Sequence, residues 1–261
     1  MNPANFSKKY GPWAIVTGAS SGIGEEFGRQ LATLKMNLVL VARRYEKLEL
    51  LSHELIRAHG IEVKIVSVDV SNPDFLKDIQ SVTDSLEIGL LVNNAGFALT
   101  GEFLGHTLEE ELSLFHVNCS APLILAHAFG KKMVQRGNGG IINVASVAAF
   151  LPMPFWTNYS ASKAYLLHFS ESLGYELRKK GVDVLALCPG GTRTEFSQVA
   201  GTKSHGMEPA EVVELALKKL GKQPVAIPGV KNQIISFINR FLPRQLLTKI
   251  GAKVVQGFMM R

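Results

Sequence analysis

The chain has 261 residues, 46% of them hydrophobic, enough for one large α/β domain that buries its own core without disulfide staples. Its two cysteines, Cys119 and Cys188, fit neither a disulfide framework nor a metal-ligand spacing, which argues against a stapled secreted module and points to a reducing compartment, the cytoplasm. The formal charge is +6, yet nine cations and no carboxylate follow Glu214, so the basic excess resides in the tail and argues against a nucleic-acid-binding core. The opening "MNPANFSKKYGPW" lacks the apolar stretch of a signal peptide, and no apolar run approaches the length of a bilayer span.

In chain order, "WAIVTG" (13–18) reads as a strand before an amphipathic helix from Ile23 to about Lys35. "NLVLVA" (37–42) precedes a helix over Tyr45–His59, and "VKIVSVDV" (63–70) precedes a polar helix after Pro73. "GLLVNNAG" (89–96), "GIINVAS" (140–146) and "VDVLALCPG" (182–190) are three more buried strands, with "QPVAIPG" (223–229) as a shorter last one. Near-continuous Val/Ile/Leu strands separated by helices predict an α/β fold, a Rossmann-type doubly wound parallel sheet in one domain over 1–261. Ligands of such a sheet lie beyond the carboxyl ends of its strands.

After the first strand, "TGASSGIG" places Gly18, Gly22 and Gly24 ahead of a helix. Three glycines suit a sharp turn that lets a pyrophosphate approach the backbone at a helix N-terminus, where an ordinary glycine-rich turn needs only one. Further on, Tyr159 and Lys163 stand one helical turn apart in "TNYSASKAYLLHF", a phenol beside an ammonium.

The Gly-x-x-x-Gly-x-Gly spacing with Thr17 resembles the cofactor loop of the short-chain dehydrogenase/reductase family. The resemblance extends through "NNAG" (Asn93–Gly96), Asn118, Ser146 thirteen residues before Tyr159, and "PGGT" (Pro189–Thr192), covering about Trp13 to Thr194. It implies a nucleotide site built from Gly18, Ser20, Ser21, Gly22, Ile23 and Gly24, from Asp69 and Val70 beside the adenine, and from Asn94, Ala95 and Gly96. Pro189, Gly190 and Thr192, with Tyr159 and Lys163, would complete it at the nicotinamide end.

An NAD site of this type uses a carboxylate after the second strand, but here that strand ends "VLVARR" with Ala42 in that position. Arg43 and Arg44 suit the 2′-phosphate of NADP(H) through charge-assisted bonds, with Arg43 as the principal contact and Ser20 as helper; the plainer reading is a solvated helix start. The family resemblance implies a catalytic set of Asn118, Ser146, Tyr159 and Lys163. In it Tyr159, its pKa lowered by Lys163, is general acid and base, and Ser146 bonds the substrate oxygen. Lys163 also holds the nicotinamide ribose, and Asn118 holds a water that links Lys163 to solvent. Taken singly, Ser146 reads equally as a strand-end cap and Asp69 as a turn residue. No His/Cys/Asp cluster suggests a metal.

Between Ser146 and Tyr159, "VAAFLPMPFWTN" offers Phe150, Met153, Phe155 and Trp156 either to an apolar substrate or to packing. Residues 193–207 resemble the family's mobile lid. The tail departs from the common family ending and more nearly resembles the steroid and 3-ketoacyl reductase branch, with Phe241, Leu242, Leu246, Leu247, Ile250 and Val254 as an apolar stripe. That extension, about 230–261, packs on the domain, covers a subunit interface or lies on an anionic membrane surface. The expected activity is NADPH-dependent reduction of an apolar ketone or 3-ketoacyl compound by a cytoplasmic homodimer or homotetramer, peripheral to a membrane if the tail docks there. The rival is a non-catalytic nucleotide-binding module that serves as a membrane-surface or partner scaffold.

Overall fold

The computed structural model describes residues 3–196, 200–201 and 206–259. Seven strands form one sheet: β1 Trp13–Thr17, β2 Asn37–Ala42, β3 Val63–Ser67, β4 Ile88–Asn93, β5 Gly139–Val144, β6 Val182–Leu187 and β7 Val225–Ala226. Their order is β3-β2-β1-β4-β5-β6-β7, every pairing parallel. The chain winds outward from β1 in one direction and then, from β4, in the other. The carboxyl ends of these two neighbours therefore open into a crevice that no crossover covers.

The helices are α1 Pro3–Tyr10, α2 Gly22–Thr33, α3 Tyr45–His59, α4 Phe75–Thr83, α5 Leu108–Phe115, α6 Ala121–Arg136, α7 Thr157–Arg178, α8 Pro209–Lys219, α9 Val230–Ile238 and α10 Arg244–Met259. Strand alternation sorts the core into two layers. Ala14, Val16, Leu38 and Leu40 face Phe27 and Leu31 of α2, Leu48 of α3 and Val213 of α8. Ile15, Val39 and Val41 face Phe75 and Ile79 of α4 and Leu125, Phe129 and Met133 of α6. Cys119 and Cys188 are both buried free thiols, Cys188 under α7 beside Leu167.

Every strand but β2 stops short of its sequence-read end. Val68–Val70, Asn94–Gly96, Ala145–Ser146 and Cys188–Gly190 continue the strands in sequence, but they leave the sheet at its carboxyl edge. Helix α1 was not legible: it is short and polar, and Phe6 and Tyr10 are its buried anchors, with the Tyr10 hydroxyl donating to Asp183 Oδ2 at 2.7 Å.

From Leu108 to Arg136 the chain is one helical run, with a π-helical turn at His116–Ser120 joining α5 to α6. By length and composition it could span a bilayer, contrary to the reading of the apolar runs. Half of its most apolar window is buried, with Leu114, Leu125, Phe129 and Met133 in the core.

The expected tail stripe is divided. Leu247, Gly251 and Val255 of α10 are buried, and a side chain at 251 would have no room beside the Pro152 carbonyl. Ile250 and Val254 border the crevice, whereas Phe241 is exposed. Phe241 ends the turn Asn239–Phe241 before α10 and does not continue that helix's inner face.

Candidate active site

A cavity of ≈ 1130 Å³ occupies the crevice, lined from the glycine turn to α10. At its first end Gly18 and Gly22 hold φ of +66° and +58°, which favour glycine. Thr17 knits the two central strands together: its Oγ1 accepts from the N–H of Asn94 at 3.0 Å and of Ala95 at 3.1 Å, while Asn94 Nδ2 donates to the Thr17 carbonyl at 2.9 Å. Ser21 stands at the N-cap of α2 without a side-chain capping bond, so the first amides of the helix keep their capacity for an anion. Gly18, Ser20, Ser21, Gly22 and Ile23 face the cavity. Gly24 does not. It packs against the Gly18 carbonyl and the Asn94 side chain, and its role is to let the helix approach the turn.

Arg43 and Arg44 flank the same end, and Ala42 closes β2 with no carboxylate. Arg44 donates to Ser20 Oγ at 3.0 Å, Ser21 Oγ at 2.9 Å and Glu195 Oε2 at 2.7 Å. Lys47 and Arg44 together hold the Glu195 carboxyl down at about 2. Arg43 reaches only Asp69 Oδ2, at 3.3 Å, and its side chain is 76% exposed. Burial pushes the Asp69 carboxyl up, but bonds from the Ser71 amide and hydroxyl and the charge of Arg43 outweigh it and leave it below the usual range. Asp69 fills its reading as a turn residue, and with Val70 it also lines the cavity wall. Ser20 is bound to Arg44, so the helper serine and the second guanidinium stand together at this end of the cavity. The donor set of two guanidiniums, a serine and free helix amides, around a glycine cradle, fits a dinucleotide with an extra phosphate.

At the middle of the cavity stand Ser146, Tyr159 and Lys163, all buried. Ser146 caps the 3-10 turn Val147–Phe150, its Oγ accepting from Ala148 N–H at 3.1 Å, so the capping role expected as an alternative is also filled. Tyr159 and Lys163 share one face of α7; the ammonium sits 5.7 Å from the centroid of the phenol ring and donates to the Val144 carbonyl at 2.9 Å. Burial pushes the Tyr159 hydroxyl up to about 12, offset in part by its hydrogen bond with Ser146. Burial also lowers Lys163 to about 8. The expected acidification of Tyr159 by Lys163 is therefore not met in this geometry. The ammonium lies against the ring and is bound to a carbonyl, and desolvation is the larger effect.

Asn118 does not face the cavity. It lies within the π-helical turn, fully buried, where its Oδ1 accepts from Phe97 N–H at 3.1 Å and its Nδ2 donates to the Phe97 carbonyl and to Ser162 Oγ, each at 3.0 Å. Both of its amide hydrogens and one lone pair of Oδ1 are engaged, and the side chain pins the segment after β4 against α7. Gly96 makes that approach possible, since a Cβ there would lie 3.0 Å from Asn118 Oδ1 and 3.2 Å from Lys163 Nζ.

Asn94, Ala95 and Gly96, with Pro189, Gly190 and Thr192, line the cavity as expected. Of the aromatic segment, Met153 and Trp156 do, with Leu151; Phe155 packs behind them on the cluster of Met153 and Tyr159, and Phe150 packs elsewhere, beside Leu167. The lid region is described in part: Thr194, Glu195 and Phe196 line the cavity, Thr192 bridges Met207, and 197–199 and 202–205 lie outside the described residues. Sequence reasoning missed the far wall, which the tail supplies through Asn232, Ser236 and Asn239 of the α9 segment and Ile250, Val254 and Phe258 of α10. The one available signal was the alternation of polar and apolar residues across 230–241. Phe258 stacks on Trp156 at 5.9 Å, and Trp156 meets Tyr159 edge-on at 5.3 Å.

Comparison with known proteins agrees with this architecture. The short chain dehydrogenase family model matches residues 12–204. The 17-beta-hydroxysteroid dehydrogenase type 3 of Rattus norvegicus is 32% identical over 94% of this chain and 80% of its own. The very-long-chain 3-oxoacyl-CoA reductase of Neurospora crassa is 35% identical over 84% and 68%. A short-chain dehydrogenase from Sphingobium yanoikuyae, solved in complex with NADPH, superimposes with a TM-score of 0.80 at 33% identity, over 88% of this chain and 94% of its own. The chain belongs to the short-chain dehydrogenase family and is an oxidoreductase of that family.

Proposed function

We propose that the protein reduces an apolar ketone or 3-ketoacyl compound with NADPH. The observation that carries this reading is the continuity of one cavity. It joins the phosphate-suited end at Arg43 and Arg44, the buried Ser146, Tyr159 and Lys163, and an apolar wall of Leu151, Met153, Trp156, Phe196 and Val254. Similarity to a steroid dehydrogenase and a 3-oxoacyl-CoA reductase supports the substrate class.

When bound, NADPH supplies the hydride. Tyr159, protonated at neutral pH because burial holds it near 12, gives its proton to the carbonyl oxygen. Ser146 hydrogen-bonds that oxygen and stabilises the charge developing on it. Lys163 keeps a positive charge beneath the phenol and binds the ribose hydroxyls, and Asn118 fixes the backbone on which both stand. The experiment is NADPH oxidation across a panel of apolar ketones and 3-ketoacyl thioesters; turnover of the panel is expected, and NADPH binding without any turnover supports the scaffold reading instead.

The cofactor preference has its own test. Arg43→Ala combined with Arg44→Ala is expected to raise KM for NADPH by about tenfold or more, with little change for NADH. An unchanged ratio of the two KM values contradicts the assignment.

The pH dependence follows from the two shifted groups. Lys163, lowered to about 8, is an ammonium below that pH and loses its charge above it. Carbonyl reduction is therefore expected to be flat near neutrality and to fall above about pH 8, read as the pH profile of kcat/KM. A profile flat to pH 10 contradicts the role given to Lys163.

A further inference from the structure

The segment containing α9 is turned inside out. Asn232, Ser236 and Asn239 face the cavity beside Ile235, and Ser236 and Asn239 are buried. Val230, Ile234, Phe237, Ile238 and Phe241 face out, exposed by 71%, 53%, 59%, 48% and 73%. Those positions follow the i, i+4, i+7, i+8, i+11 repeat of a single helical face, and the rings of Phe237 and Phe241 meet at 5.3 Å. A helix that only covered the cavity would place its apolar side inward. Five large apolar side chains contiguous on the outside call for an apolar partner.

The charge around this face identifies the partner. Lys231, Arg240 and Arg244 border it, and Lys249 and Lys253 are exposed on α10. Among the described residues none of the five is ion-paired with a carboxylate, and no acidic residue occurs after Glu214. An apolar face rimmed by unpaired cations complements an interface of acyl chains beneath anionic headgroups.

We propose that the outer face of α9, continued by Phe241, docks on an anionic lipid bilayer. The cavity wall and the docking face are then two sides of one short helix. Val254 and Phe258, both partly exposed beside it, place the apolar end of the cavity at the lipid surface. An apolar carbonyl compound would enter from the bilayer without crossing water. The docking itself does not depend on the proposed reaction.

The test is sedimentation of the full chain with phosphatidylcholine vesicles, with and without phosphatidylserine. Binding is expected with phosphatidylserine, weakening as salt is raised. The double variant Phe237→Glu with Phe241→Glu is expected to lose about tenfold or more in vesicle affinity. Both side chains are exposed, so its NADPH binding and Tm are expected to stay unchanged. Arg240→Gln with Arg244→Gln is expected to lose the preference for phosphatidylserine. Three results overturn the proposal: no binding to either vesicle, equal binding by the Phe237/Phe241 variant, or a wild-type dimer in light scattering that this variant splits. The last would assign the face to a second copy of the chain.

Discussion

Tyr159→Phe is expected to lower kcat/KM for carbonyl reduction by about a hundred- to ten-thousandfold, the range a positioned general acid supplies. The substitution removes one oxygen and leaves the ring. That ring is packed edge-on to Trp156 at 5.3 Å and tilted to Phe196 at 5.7 Å, so the surrounding wall should hold its shape. NADPH affinity is expected to change little, because the phosphate-suited end of the cavity lies with Arg43, Arg44 and the amides of α2. Burial already raises the phenol to about 12, so wild type and variant do not differ in charge at neutral pH and the whole effect should lie in proton donation. A variant that retains most of its kcat excludes Tyr159 as the acid.

Lys163→Met is expected to have the second-largest effect, a loss of about a hundredfold in kcat/KM shared between weaker NADPH binding and slower turnover. The methionine keeps most of the length of the stem and removes the cation. Two consequences separate a chemical role from a packing role. The fall in rate above about pH 8 should vanish, because the group that titrates there is gone. The Tm should change little, since removing a buried charge relieves its desolvation while leaving the Val144 carbonyl without its donor, two effects of opposite sign. An intact alkaline limb in the variant assigns that limb to another group.

The fold was legible because the parallel sheet is buried on both faces, and a strand of that kind writes itself as a near-continuous apolar run. The same feature produced the errors at strand ends. Val68, Val70 and Ala145 carry on the apolar run of the strands they follow, yet they line a cavity instead of entering the sheet. Side chains fixed by short spacing were legible: Tyr159 and Lys163 share a face of α7, and the glycines after β1 adopt the turn their number suggested.

Properties set by tertiary contacts were not legible. Asn118 belongs to the segment after β4 only through the Phe97 backbone, and Arg44 reaches Ser20 only because two loops meet. The direction of the Tyr159 shift depends on how much water the fold excludes, which four residues of spacing cannot express. The tail was misread as a single stripe because Phe241, in the turn before α10, faces out while Leu247 faces in, and the polar Ser236 and Asn239 of the preceding segment are buried at the cavity. A binding site can invert the usual rule of apolar inside and polar outside, and there the sequence pattern alone points the wrong way.

The most direct test of the central claim is the crystal structure of the chain with NADPH. The account predicts the nicotinamide beside Tyr159 and Lys163, with the phenol hydroxyl on the face where a carbonyl would meet the reactive ring carbon, and the 2′-phosphate between Arg43 and Arg44. A dinucleotide bound in reverse, or a nicotinamide out of reach of that hydroxyl, would contradict it.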